Sequence, residues 1–239
     1  MEIKVIYEDS DLLVADKPAG IVVFCEAPAE ASAKAGQIYL IDELIQKYPE
    51  LKNAGEAPRY GIVHRLDKDT SGIVLVAKST EALIFLQKQF KNRGVEKKYI
   101  CLVEGEIKDD FGEIKTLIAR SKKDFRKQIV PPEGQKGLPA GRQAVTEYKV
   151  LERLKDYTLL EVNIKTGRRH QIRCHFSYLK HPVAGDRLYA FKNSKIPEGL
   201  TRQFLHASYL KIKLLNGKTH EFYSELPEDL KHVKITRTI

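Results

Sequence analysis

The sequence predicts an α+β fold built on a mixed β-sheet. Segments with strand character outnumber segments with helical periodicity, and no repeat of fixed length runs through the 239 residues. Hydrophobic residues make up 42% and charged residues 31%, a balance typical of a folded chain rather than a disordered one. A chain of this length can bury a sizeable core, so we expect one large domain or two subdomains.

The first part of the chain predicts a β-meander followed by a helix. Apolar residues alternate from Ile3 to Tyr7, and short apolar runs follow at residues 12–15 and 21–24, so three strands are expected there. Apolar residues then recur at helical spacing over residues 38–45, ahead of Tyr48 and Pro49. This spacing predicts the first amphipathic helix.

The remaining elements follow from the same two periodicities. A second amphipathic helix is predicted after Ser79 and Thr80, where apolar residues repeat at helical spacing from Leu83 to Phe90. Strand character marks the segments 73–77, 99–103, 145–151, 158–164, 206–214 and 220–223. The segment 131–143 is rich in Pro and Gly, which predicts a loop.

Several classes of protein are excluded by composition. The longest uncharged apolar stretches, such as Gly72–Ala77, fall far short of the run of about 20 residues that a membrane-spanning helix needs, so no such segment is expected. The amino terminus carries acidic residues and no apolar signal region, which predicts a cytoplasmic protein. The three cysteines are far apart without C-x-x-C spacing, so we expect reduced thiols.

The basic charge of the chain is concentrated in one region. The formal net charge is +9, and residues 115–180 contain 16 basic and six acidic residues, a surplus of ten. Such a segment fits a surface that follows nucleic-acid phosphates, and it also fits an ordinary solvated face. Composition alone leaves both interpretations open.

The segment His64–Gly72 places charged residues directly before an apolar strand. A buried strand can hold such a loop rigidly and present a reactive side chain, but the same residues fit a turn in which Asp67 or Asp69 bonds the backbone. His-Arg-Leu-Asp also occurs in the kinase catalytic loop, yet no Gly-rich phosphate loop precedes it here and no Asp-Phe-Gly follows. A glycosidase pair or a metal site at the two aspartates would need partners that the spacing does not supply.

A second candidate segment runs from Thr166 to Phe176. Apolar spacing predicts a helix that starts near Thr166 and Gly167 and presents Arg169 and Arg173 on one face as an anion site. Arg173 lies among apolar residues, so an inward-facing guanidinium there requires a carboxylate partner. The two histidines lack the spacing of a zinc helix, and hydrogen-bonded structural roles are expected for them.

Together these segments resemble the motifs of RluA-type RNA pseudouridine synthases. The resemblance is carried, in order, by residues 63–72, 98–105 and 166–173, with further matches at 7–20, 181–189 and 205–207. It covers nearly the whole chain. The sequence departs from the family pattern at Phe24-Cys25, at Cys174 and in the basic loop of residues 131–142.

The resemblance implies that the protein isomerises uridine in RNA to pseudouridine. The family breaks the C1′–N1 bond, turns the uracil and joins C5 to C1′ without cofactor or metal. By position Asp67 is the essential aspartate, acting either as nucleophile at C1′ or in a glycal route. Arg173 matches the arginine that pairs with this aspartate, and Tyr99 matches the tyrosine that stacks on the target base.

The resemblance also implies how RNA is held. Arg65 matches the arginine that enters the base stack when the uridine is flipped out. The remaining candidate RNA-binding residues are basic side chains of the positive segment: Lys122, Lys123, Arg126, Lys127, Arg168 and Arg169. Ribosomal RNA and transfer RNA are both open as targets.

The expected organisation is a single catalytic domain over residues 1–239, with an active-site cleft across a mainly antiparallel sheet. A separate amino-terminal RNA-binding domain of the S4 type is not expected, and the protein is expected to be a monomer. Two alternatives carry less support from the residues: an idle RNA-binding or ribosome-assembly factor on the same fold, and a metal-dependent nuclease or phosphotransferase using Asp67 and Asp69.

Overall fold

The computed structural model describes residues 2–25, 37–132 and 140–235. Within these residues the chain forms ten strands, four α-helices and one 3-10 helix at Pro49–Asn53. The strands are β1 Lys4–Glu8, β2 Leu12–Lys17, β3 Ser71–Ala77, β4 Glu96–Glu104, β5 Phe111–Arg120, β6 Gln128–Ile129, β7 Arg142–Arg153, β8 Tyr157–Ile164, β9 Leu205–Lys213 and β10 Thr219–Tyr223. The helices are α1 Leu40–Lys47, α2 Thr80–Lys91, α3 Gln171–Tyr178 and α4 Glu228–Lys231.

The chain divides into two compact units, and the first comprises Met1–Glu96 and Ala207–Glu225. Its strands lie in the order β1-β2-β3-β9-β10. β3 is buried along its whole length between two neighbours, because its run of Ile, Val and Leu has apolar surroundings on both faces. Helix α2 begins after Ser79, whose side chain accepts a hydrogen bond from the amide of Ala82, and it packs Leu83 and Leu86 into the core of this unit.

The second unit comprises Lys97–His206 and Leu226–Ile239. Its strands lie in the order β4-β8-β7-β5-β6, and every pair in this series is antiparallel. Helix α3 buries all of its first six residues, Gln171–Phe176, including polar ones. The buried polar side chains of α3 therefore need hydrogen-bond partners.

The structure confirms the α+β class and the mainly antiparallel pairing, and it corrects several elements. Residues 21–24 form no strand, since Val22 makes only an isolated bridge to Tyr39. The strands β5 and β6 were not predicted. Of the predicted loop, residues 133–139 lie outside the described part of the chain.

The start of α3 is the most consequential correction. The helix begins at Gln171 and not near Thr166, and His170 before it has left-handed backbone angles, φ 52° and ψ 24°. Arg169 therefore lies outside the helix, and the prediction that Arg169 and Arg173 share one helix face is wrong. Among the helices that the structure describes, none is long and apolar enough to span a membrane.

Candidate active site

Asp67 lies in a tight turn immediately before β3. The amide of Thr70 donates to the carbonyl of Asp67 at 3.1 Å, which closes the turn, and the Asp67 side chain is only partly buried. A half-buried carboxylate on a closed turn keeps a defined position while staying open to a substrate. A carboxylate held in this way can act as a nucleophile or as a base.

A buried lysine stabilises this turn through hydrogen bonds to main-chain carbonyls. Lys17 is fully buried at the end of β2, and its ammonium group donates to the carbonyls of Pro18 at 2.9 Å, Ile21 at 2.9 Å and Lys68 at 3.0 Å. The carbonyl of Lys68 also accepts from the amide of Gly20 at 2.9 Å. Because Lys68 directly follows Asp67, these bonds fix the backbone that carries the candidate catalytic carboxylate.

The residues on either side of the turn are held just as closely. His64 accepts a hydrogen bond from the amide of Leu75 at 3.0 Å and stacks on Phe90. Gly72 has φ +115°, and a Cβ built there would lie 2.2 Å from the carbonyl oxygen of Ala207. Only glycine fits at this position, so the Thr-Ser-Gly end of the motif is needed for close packing of β3 against β9.

Arg65 is exposed and lies against an aromatic ring. Its guanidinium carbon is 5.8 Å from the ring centre of Phe24, and that of Arg59 is 5.4 Å from the same ring. Phe24 is one of the departures from the family pattern. In this chain it provides a cation–π contact for the arginine predicted to enter the RNA stack.

In the second unit, the buried guanidinium of Arg173 is paired with Asp186. Arg173 donates from Nε to Oδ2 of Asp186 at 2.6 Å and from Nη2 to Oδ1 at 2.9 Å, and the Asp186 side chain is 0% exposed. The inward-facing arginine thus has a carboxylate partner that the sequence did not identify. The predicted pairing of Arg173 with Asp67 stays a prediction. A guanidinium has five N–H donors, so the two bonds to Asp186 leave donors for a second carboxylate.

Tyr189 joins this ion pair to the basic segment. Its ring centre is 5.1 Å from the guanidinium carbon of Arg173 and 5.9 Å from the ammonium of Lys127. The phenol oxygen accepts from the amide of Gln128 at 2.6 Å and lies 3.0 Å from Nδ1 of His170. The carboxylate of Asp186 in turn accepts from the amide of Tyr189. Neither Tyr189 nor Asp186 had been given a role from the sequence, although both lie in the matching segment 181–189.

A network of polar side chains at the start of α3 positions the loop that carries Arg168. The side chain of Gln171 accepts from the amide of Arg168 at 3.0 Å and from the hydroxyl of Thr166 at 2.8 Å, and donates to the hydroxyl of Thr146 at 2.9 Å. Arg168 also donates from Nε to the carbonyl of Gln143 at 3.0 Å. Arg168 is therefore a fixed side chain, whereas Arg169 is exposed.

His175 completes the network from the next turn of the helix. Its Nδ1 lies 2.8 Å from the hydroxyl of Thr146, and its Nε2 lies 3.0 Å from the hydroxyl of Thr116. Burial lowers the pKa of His175 to about 4, so the ring is neutral at physiological pH. The role predicted for this histidine, a hydrogen-bonded structural one, agrees with these contacts.

Tyr99 lies in the middle of β4, buried and opposite Val162 of β8. Lys97 is two residues earlier on the same strand, so both side chains leave the same face. Burial lowers the pKa of Lys97 to about 8, and its ammonium is 3.9 Å from the position of a Cβ built on Gly167. Lys97 is thus a half-buried amine next to the 166–168 loop, and spacing alone did not single it out.

Four of the seven basic residues predicted to bind RNA lie at the turn between β5 and β6, but they differ in their surroundings. Lys122 and Lys123 are exposed, whereas Lys127 packs over the Tyr189 ring. Arg126 donates from Nε to Oδ1 of Asp124 at 2.9 Å and from Nη2 to Oδ2 at 2.8 Å. These bonds from Arg126 hold the pKa of Asp124 at about 2.

Among the residues that the structure describes, no group of three or more His, Cys, Asp or Glu side chains could hold a metal ion.

Comparison with known proteins assigns the class of this fold and site. The sequence profile of the RNA pseudouridylate synthase family matches residues 11–178, which include Asp67, Tyr99 and Arg173. The structure is similar to that of human RNA pseudouridylate synthase domain containing 1, with a TM-score of 0.77 and 26% identity, covering 100% of this chain and 90% of the human one. The chain belongs to the RNA pseudouridylate synthase family.

Two curated relatives specify the branch. The chain is 44% identical over 200 residues to an uncharacterized RNA pseudouridine synthase of Aquifex aeolicus, covering 83% of this chain and 59% of the relative. It is 36% identical over 228 residues to ribosomal large subunit pseudouridine synthase D of Borreliella burgdorferi, covering 95% of this chain and 66% of the relative. The predicted RluA-type family is confirmed, and the chain spans less than two thirds of the length of either relative.

Proposed function

We propose that the protein converts specific uridines of ribosomal RNA to pseudouridine, with Asp67 as the catalytic carboxylate. The observation that carries the proposal is the turn of Asp67, fixed by Lys17 and β3 at the position that the family motif requires. The name of the Borreliella burgdorferi relative supports ribosomal RNA over transfer RNA as the target. The basic segment supports an RNA partner in either case.

In this proposal the reaction is an isomerisation in which no atom is gained or lost. The C1′–N1 bond of the uridine breaks, the uracil turns, and C5 forms a bond to C1′. The proton leaves C5, and N1 ends with a proton. Asp67 either attacks C1′ as a nucleophile or takes a proton from the ribose in a glycal route, and both leave the carboxylate regenerated.

The other site residues have supporting roles in the proposal. Tyr99 stacks on the flipped uracil and accepts the C5 proton, directly or through water. Arg173 orients the Asp67 carboxylate and supplies positive charge beside it, and Asp186 and Tyr189 hold the guanidinium of Arg173 in place. Arg65 occupies the space that the flipped uridine leaves, and Arg168 and Arg169 contact phosphates.

The same proposal includes a monomeric protein in the cytoplasm, with residues 1–239 forming one catalytic domain. Cys25, Cys101 and Cys174 take part in no disulfide bond. Light scattering on the purified protein tests the monomer. A dimer at micromolar concentration would contradict it.

The decisive experiment is to incubate the protein with ribosomal and transfer RNA from cells that lack it, and then to map new pseudouridines. We expect new sites in large-subunit ribosomal RNA, in the presence of excess chelator as well as without it. Sites only in transfer RNA would overturn the target. Binding without any new pseudouridine would instead support the idle RNA-binding factor.

A further inference from the structure

The turn between β5 and β6 exposes an aromatic ring. We call residues Ser121–Lys127 the basic tip. Phe125 lies in the basic tip and is 69% exposed. Single exposed aromatic rings are common on folded proteins, so the case for a binding role of Phe125 depends on its surroundings and not on its exposure alone.

The basic tip is a closed loop that holds Phe125 in place. The amide of Ser121 donates to the carbonyl of Lys127 at 3.0 Å, and the amide of Lys127 donates to the carbonyl of Asp124 at 2.9 Å. The amide of Asp124 donates to the Ser121 hydroxyl at 3.2 Å. The ring is therefore presented on an ordered support, which reduces the entropy lost when it binds.

Arg120 supports the ring directly. Its Nε donates to the carbonyl of Phe125 at 3.0 Å, and its guanidinium carbon is 5.8 Å from the ring centre. The guanidinium is attracted to the ring and adds positive charge beside it. Lys122 and Lys123 are exposed in the same loop, so together with Arg120 three cationic side chains lie within five residues of Phe125 along the chain.

The other end of β5 provides an internal comparison. Phe111 is 67% exposed, and the ammonium of Lys149 lies 5.9 Å from its ring centre. The two rings are thus alike in exposure and in having a cation nearby. The charge of the neighbouring residues differs. Phe111 is flanked by the acidic residues Asp109, Asp110 and Glu113, whereas the segment from Arg120 to Lys127, which contains Phe125, has five basic residues and one acidic residue.

We propose that Phe125 stacks on an unpaired base of the RNA substrate while Lys122 and Lys123 contact the adjacent phosphates. An aromatic ring among cations is the combination that binds single-stranded nucleic acid, because every base has a face to stack and every nucleotide a phosphate to neutralise. A base inside a duplex has no free face. The basic tip therefore selects unpaired nucleotides near the target uridine, and this inference rests on the proposed function for its RNA partner.

Binding to a labelled RNA tests the proposal without requiring turnover. The probes are a fluorescein-labelled single-stranded RNA of about 12 nucleotides and mixed sequence, and the same RNA annealed to its complement. The proteins are the wild type, F125L, F125W and F111L. Leucine keeps apolar volume but removes the ring, and tryptophan restores a stacking surface.

We expect F125L to weaken binding of the single strand by about tenfold, the size of one base–aromatic stack, and to leave duplex binding within about twofold. F125W should bind the single strand like the wild type, and F111L should behave like the wild type with both probes. Because the substitution removes no charge, the salt dependence of F125L should match that of the wild type.

Three results would overturn the inference: unchanged single-strand affinity in F125L, an equal loss for the duplex, or an equal loss in F111L. Failure of the proposed function is seen separately, in the mapping of pseudouridines. A protein that binds the single strand through Phe125 but forms no pseudouridine would leave this inference in place and refute the isomerase.

Discussion

The turn of Asp67 and the surroundings of Arg173 are held by different kinds of contact. Several contacts around Asp67 end on main-chain atoms: the Lys17 ammonium binds carbonyls, His64 binds an amide, and the carbonyl of Ala207 packs against Gly72. Around Arg173, the partners are side chains, the carboxylate of Asp186 and the ring of Tyr189. The carboxylate proposed to react is thus placed by contacts to the main chain of its turn, whereas the arginine is placed by charge and aromatic contact.

The difference matters because the two kinds of contact fail in different ways. A main-chain contact depends on the chain path, so most side-chain changes nearby leave it intact. A buried ion pair depends on both partners, and loss of either one leaves an unpaired charge. Substitution of Asp67 itself should therefore change chemistry without changing stability, whereas substitution of Lys17 or of either member of the buried ion pair should lower stability as well.

The largest expected effect is the loss of activity in Asp67→Asn. Because the amide cannot act as nucleophile or base, we expect pseudouridine formation to fall on the order of 10³-fold or more. Unfolding in urea should change by less than about 0.5 kcal/mol, and RNA affinity should be nearly intact. The matched control is Asp69→Asn in the same turn, which makes the same chemical change at an exposed side chain and should retain activity. Turnover near that of the wild type in Asp67→Asn would refute the assignment.

Much of the first region could be predicted from the sequence because its parts are close together in the chain. The apolar run 73–77 predicts a buried strand, and the polar motif directly before it must lie at that strand's end. The role of Lys17 could not be predicted, because it bonds a carbonyl 51 residues away and a lysine is almost never fully buried. Only the folded chain brings three carbonyls around its ammonium.

The second largest effect is expected for the pair of Arg173 and Asp186. We expect R173M and D186N each to lower the free energy of unfolding by about 3–5 kcal/mol, because each leaves the other group buried without its partner. The double variant should lose clearly less than the sum of the two, since neither charge of this pair is then left without the other. Urea unfolding of all four proteins measures this coupling. Additive losses would mean that the two side chains do not stabilise each other.

A smaller effect, on both stability and rate, is expected for Lys17→Met. Methionine fills the same space but donates no hydrogen bond, so buried carbonyls lose a partner at a cost of about 1–3 kcal/mol. The turn of Asp67 then loosens, and we expect the rate to fall about 10- to 100-fold with little change in RNA affinity. Lys68→Met is the control, since it changes an exposed side chain and leaves the carbonyl in place. Wild-type activity in Lys17→Met would show that β3 alone holds the turn.

The surroundings of Arg173 were predicted less well than the turn of Asp67, for a physical reason. The segment 166–170 has the composition of a helix start, but Gln171 uses its side chain to bind Thr166 and the Arg168 amide, and this favours a loop. The helix then begins after the left-handed His170. The partners of Arg173 and His175 come from elsewhere in the chain, so apolar spacing shows that these residues face inward without showing what they meet.

The buried histidine should make stability depend on pH. The pKa of His175 is about 4 in the folded protein and about 6.5 when the chain is unfolded, so between these values the unfolded state binds the extra proton. Stability is therefore lost as pH falls from about 6.5 towards 4. Relative to H175Q, which has no such proton, the wild type should lose about 2 kcal/mol between pH 7 and pH 5. Parallel pH profiles of the two proteins would contradict burial of a neutral ring.

The smallest expected effect separates the residues of the basic tip by their partners. Each lysine that contacts a phosphate releases counterions, and its removal should lower the slope of log affinity against log salt by roughly 0.7 to 0.9. We expect K122A/K123A to lower the slope by about 1.5, because both side chains are exposed and each removes one cation. R126A should lower it by less than about 0.5, because both arms of that guanidinium already bind Asp124 and its charge is largely neutralised within the loop. The rate at saturating RNA should stay unchanged in both variants, since these residues are not expected to reach the reacting bonds.

Equal slopes for the wild type and K122A/K123A would move the phosphate-binding surface to Arg168 and Arg169. An equal loss in R126A would mean that RNA displaces Asp124 from its arginine.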